Sequence, residues 1–122
     1  MTRTQFEAVV REALESMPEE IAALLEQVAI VVEARPSGDQ LEDQGIDDPM
    51  GLYGLYEGVP LTERSVLESG TLPDRITIFQ EPLQADFPFR DELILEIQKT
   101  VAHEVAHVFG IDEERLEELG LD

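Results

Sequence analysis

The stretch from Arg90 to Phe109 keeps a helical spacing of apolar side chains, with Leu93, Ile97, Val101 and Val108 placed to face a core. Gly110 follows and can take the left-handed conformation that ends a helix. Inside this longest helix stand the only two histidines of the chain, His103 and His107, four residues apart. Positions i and i+4 lie one turn apart on one face. The remaining elements therefore have to supply a core for a helix that also presents two imidazoles side by side.

Those elements alternate in type. Phe6, Val9, Val10, Ala13 and Leu14 predict an amphipathic helix over residues 4–15. Pro18, Glu19 and Glu20 suit the start of a second helix reaching Leu25, because proline fits a first turn and carboxylates favour the positive helix end. Val28 to Val32 is short, continuous and β-branched, as in a buried strand. Arg35 to Met50 is punctuated by Pro36, Gly38, Gly45 and Pro49 and reads as a loop; the spacing of its acidic residues is not that of a calcium loop. Leu52 to Tyr56, with its glycine, predicts a short strand near a sheet edge or bend. The pattern from Leu61 to Ser69 fits a helix and an irregular segment equally. Arg75 to Gln80 alternates cleanly as a strand, Pro82 and Pro88 mark a connection, and a last short helix is expected from Glu113 to Leu119. Helices and strands alternating over 122 residues imply a mixed α and β fold in a single domain, residues 1–122.

Composition narrows the function. Acidic residues outnumber basic ones 28 to 8, for a formal charge of −20. Such a surface repels phosphates and anionic headgroups, so no nucleic-acid or membrane partner is expected. Cysteine is absent, which excludes disulfides and thiolate metal ligands. The opening residues enter helical spacing without an apolar signal core, and Val28 to Val32 is far too short to span a bilayer, so a cytoplasmic location is expected.

The chemistry lies in His103-Glu104-Val105-Ala106-His107. Both imidazoles can reach one divalent ion, at metal–nitrogen distances of about 2.0–2.1 Å. Glu104 projects roughly 100° around the helix from His103, which suits a carboxylate beside a metal-held water rather than on the metal. Val105 and Ala106 imply a packed helix, in which two unliganded imidazoles would lack partners. An open zinc site needs a third protein ligand. Gly110, three residues past His107, can turn the chain back, and Glu113, three further on, occupies the third-ligand position of the extended pattern HExxHxxGxxH with a carboxylate in place of histidine. Asp112 competes for that role, but it also stands where the last helix needs an N-cap.

The segment from His103 to Glu113 resembles the small bacterial zincin-like metallopeptidases, whose pattern HExxHxxGxxD usually ends in aspartate. The stretches LYEGVPLTER (Leu55 to Arg64) and LPDRITIF (Leu72 to Phe79) resemble that family too, so the likeness runs from about Leu52 to Leu119. It implies an α+β minimal zincin-like fold: a small twisted mixed sheet backed by helices, with the HExxH helix beneath it. It also implies that Glu113 stands where the family has aspartate.

The expected function is zinc-dependent hydrolysis, in the first place of peptide or protein substrates. One Zn²⁺ held by His103, His107 and Glu113 would lower the pKa of a water towards about 7, with Glu104 as general base. Iron, cobalt or nickel also suit imidazole donors. Tyr53, Tyr56, Arg64 and Arg115 are candidates to stabilise an oxyanion, and an extended substrate is expected to add to a sheet edge. The rival readings are a non-catalytic metal-binding module that docks through its acidic surface, and a hydrolase of other amides or esters.

Overall fold

The computed structural model describes residues 1–58 and 74–122. Helix α1 (Arg3–Glu15) begins at a capping box: the Thr2 hydroxyl accepts from the Gln5 N–H at 3.1 Å, and the Gln5 side chain accepts from the Thr2 N–H at 2.8 Å. Its apolar stripe, Phe6, Val9, Val10 and Ala13, is buried. Helix α2 (Glu19–Leu25) carries Glu19 and Glu20 in its first turn, with Pro18 at the N-cap. Strand β1 (Ala29–Glu33) follows.

The stretch expected to be a loop contains a helix, α3 (Gly38–Gln44), and a 3₁₀ turn at Pro49–Gly51. Its glycines and carboxylates suggest a loop, yet Ser37 and Gln40 form a second capping box, Gly45 ends the helix at φ 67°, and Leu41 is buried beneath it. One buried leucine and two good ends outweigh a poor interior.

Strand β2 (Gly54–Glu57) and strand β3 (Arg75–Phe79) complete a sheet ordered β1-β3-β2. β1 runs parallel to β3, with Ile30 opposite Ile76 and Val32 opposite Ile78. β2 runs antiparallel and forms an edge among the described residues. The connection expected around Pro82 is helical, α4 (Gln80–Asp86), because proline is tolerated in a first turn. The segment 61–69 lies outside the described residues, as do the family-like residues 59–64 and 72–73.

Helix α5 (Arg90–Phe109) packs on α1 and lies against β2 and β3, and α6 (Glu113–Glu118) folds back on its end. Leu93, Ile97, Val101 and Val105 are almost wholly buried, each contributing roughly 1.5–3 kcal/mol by leaving water. Val108 departs from expectation. It is 47 % exposed, since the last turn of α5 extends past the core and Val108 lines a cavity instead. The architecture is α+β: among the described residues, a small three-stranded mixed sheet with helices packed against it. Among the described residues no helix is long and apolar enough to cross a membrane.

One close approach sets how the long helix sits under the sheet. A Cβ on Gly54 would stand 2.6 Å from Thr100 Cγ2 and 3.2 Å from the Thr77 carbonyl oxygen, so β2 meets α5 at van der Waals contact only because this residue has no side chain.

Candidate metal centre

The last turns of α5 and the first of α6 meet across a glycine bend. Gly110 adopts φ 75° and ψ 26°, and the Ile111 N–H returns to the Ala106 carbonyl at 3.0 Å. Asp112 Oδ1 then accepts from the Arg115 N–H at 2.9 Å, capping α6. Asp112 thus makes the cap expected of it, and Glu113 Oε1 lies 3.6 Å from His103 Nδ1.

His103, Glu104, His107, Asp112 and Glu113 all line one cavity of about 580 Å³, walled by Leu55 and Tyr56 of β2, Gln44 of α3, and Val108 and Ile111. Val105 and Ala106 are buried, but the imidazoles are not: the His103 side chain is 41 % exposed, and His107 is exposed as well. The helix packs through the residues between the histidines and presents the histidines themselves to the opening. A cavity of similar size between α1 and β1 is lined by Val10, Leu14, Ile30 and Val32 with Glu7, Arg11 and Glu15. It holds no imidazole, so the metal-binding chemistry points to the first cavity.

The wall from α3 was missed in the sequence. Its signal was the Ser37-x-x-Gln40 capping box followed by Gly45, outvoted by the surrounding prolines and carboxylates.

Burial raises the Glu104 carboxyl above its ordinary value. A hydrogen bond from the Tyr56 backbone N–H and the two neighbouring imidazoles act in the opposite sense and are outweighed. The candidate oxyanion groups are engaged elsewhere. The Tyr53 hydroxyl donates to Asp86, which pushes its pKa up to about 12, and the Tyr56 hydroxyl donates to Asp74 at 2.6 Å. Arg115 pairs with Glu20 and Glu118, and its pKa is raised by both. Arg64 lies outside the described residues.

Two imidazoles and a carboxylate are the donor set of a zinc site that keeps one position open. Among the described residues no three His, Asp or Glu side chains lie close enough together to hold a metal ion. His103 and Glu113 are drawn together, with His107 on the same cavity wall. By chemistry the donors fit zinc.

An α+β fold with two imidazoles on its longest helix and a carboxylate at the start of the next carries the donor chemistry of a metallohydrolase. A family model for zincin-like metallopeptidases matches residues 25–121, and the chain belongs to that family. Comparison with curated proteins gave no match. Membership supports a zinc-using metallohydrolase kind of function and agrees with the mixed fold.

Proposed function

We propose that the protein is a zinc-dependent peptidase in which His103, His107 and Glu113 hold one zinc ion and Glu104 is the general base. The observation that carries this reading is the shared cavity: all four side chains line it, together with Leu55 and Tyr56 of β2. When bound, zinc supplies a Lewis acid that lowers the pKa of a water towards about 7 and polarises a carbonyl.

The protein's own groups do the rest. A Glu104 carboxylate oxygen accepts the proton of the attacking water and delivers it to the departing amine. An extended peptide adds as a strand to a sheet edge. Peptide or protein is the substrate class. The charge of −20 opposes nucleic-acid and membrane partners.

The test compares the unaltered chain with Glu104→Gln and His107→Ala. Glu104→Gln should keep its zinc while peptide hydrolysis falls by about 10²–10⁴-fold, the usual contribution of a general base. His107→Ala should lose its zinc. Equal hydrolysis by the unaltered chain and Glu104→Gln would remove the catalytic role. Zinc retention with no hydrolysis of peptides, other amides or esters by either would favour a binding module.

A further inference from the structure

Arg115 is the only cation in either α2 or α6, and its guanidinium joins the two helices. We infer that Arg115, clamped to Glu20, is a positioning residue for Glu113. By fixing the roll of α6 it holds that carboxylate towards His103, and so sets zinc affinity from a helix that does not line the metal cavity. The inference rests on the reading of Glu113 as a zinc ligand.

Glu113 has little of its own to hold it. Its side chain is 77 % exposed, and it opens a helix of six residues, too short to be stable or oriented by itself. The Asp112 cap is internal to that helix and its approach, so it shapes the first turn without saying how the helix lies against its neighbours. Leu116, buried in the core, fixes the depth at which α6 sits. One apolar anchor leaves the roll of the helix weakly determined.

Arg115 removes that freedom. Two residues of helix turn about 200°, so Arg115 and Glu113 stand on nearly opposite sides of α6. The Arg115 Nε–H donates to Glu20 Oε1 at 3.1 Å and to Oε2 at 3.0 Å, and Nη2 donates to Oε1 at 2.7 Å. Nη1 donates to Glu118 Oε2 at 2.7 Å. The planar fork grips the α2 carboxylate with two nitrogens and its own helix with the third. Ile21, next to Glu20, is wholly buried, and α2 packs on α5, which carries His103. His103 and Glu113 are therefore linked by two routes, the glycine bend and the clamp.

An isolated ion pair with side chains 43 % and 40 % exposed contributes little. This one is bidentate and belongs to a network of three charges, the conditions under which such pairs count. The setting adds to it. α6 carries Glu113, Glu114, Glu117 and Glu118, and α2 opens with Glu19 and Glu20, so without Arg115 the two helices would offer each other only like charge.

The test measures zinc affinity of the full chain by competition with a zinc-binding dye, with urea midpoints as the check on folding. Arg115→Met keeps the stem and loses the fork; it should weaken zinc binding by about ten-fold, the low end for loss of a metal ligand's supporting partner. Glu20→Gln still accepts a hydrogen bond and should weaken it by about three-fold. In a Glu113→Ala background neither substitution should weaken zinc binding further, although each should lower the urea midpoint as it does in the unaltered chain. A merely structural role would not separate the two readouts. Zinc affinity equal in the unaltered chain and both clamp variants overturns the inference, as does a loss that persists undiminished in Glu113→Ala. Glu20 lies outside the metal cavity, so Glu20→Gln decides alone should Arg115→Met fail to fold. A Glu113→Ala protein that binds zinc like the unaltered chain defeats the ligand reading and this inference together; a weakened Glu113→Ala with both clamp variants unmoved defeats the inference alone.

Discussion

His103 Nδ1 stands 3.6 Å from Glu113 Oε1 although the end of one helix, a glycine bend and the start of another lie between them. The bend reverses the chain between them, and Asp112, adjacent to Glu113, is held by its bond to the Arg115 N–H. The two carboxylates should separate by variant. Glu113→Ala should weaken zinc binding by at least the roughly 10–100-fold seen when a metal ligand loses its supporting partner. Asp112→Ala should leave zinc binding near that of the unaltered chain and lower folding stability by about 1 kcal/mol, the worth of an N-cap. Competition with a zinc-binding dye and urea titration read the two effects; the reverse pattern would make Asp112 the ligand.

Glu104 makes stability depend on pH in a sense opposite to most carboxylates. Burial raises its folded pKa above the ordinary value of 4.5, so folding favours the protonated form. That contribution is fully present below the unfolded pKa and is lost as pH rises through the raised folded value. In metal-free protein, Glu104→Gln should therefore melt higher than the unaltered chain at pH 8, and the difference should shrink towards pH 4. A variant that melts lower at pH 8 would show that the contacts of the charged form outweigh its burial.

Gly54 is where β2 and α5 touch, and any Cβ there collides with the Thr100 methyl. Gly54→Ala should cost about 1–3 kcal/mol, as overpacking does. Adding Thr100→Ser removes the methyl while keeping a hydroxyl for the Glu96 carbonyl, and it should restore part of the loss. Calorimetric melting of the two single variants and the double variant checks this. A Gly54→Ala protein as stable as the unaltered chain would mean the contact relaxes freely.

Gly110 is a different case. No heavy atom lies within 4 Å of the place a Cβ would take, but its φ of 75° is left-handed. Gly110→Ala should cost about 1–2 kcal/mol from backbone strain alone, and Gly110→Asn less, because asparagine tolerates that conformation better. Urea midpoints that rank asparagine below alanine would contradict the strain account.

Much of this protein is written locally in the chain. Two histidines four residues apart share a helix face whatever surrounds them, Gly110 ends the helix by its own conformational freedom, and the β-branched runs at β1 and β3 form strands within a residue of their expected ends. The loop expected between Arg35 and Met50 was misread because its helix depends on burying Leu41. Val108 keeps a core spacing yet faces a cavity, since periodicity records which face a residue occupies and not where the core ends. The pairing of β2 with β3, the fit of Gly54 against Thr100 and the meeting of Glu104 with Tyr56 join residues 18 or more positions apart. Such contacts are chosen by packing among elements already formed, so only the tertiary structure could decide them.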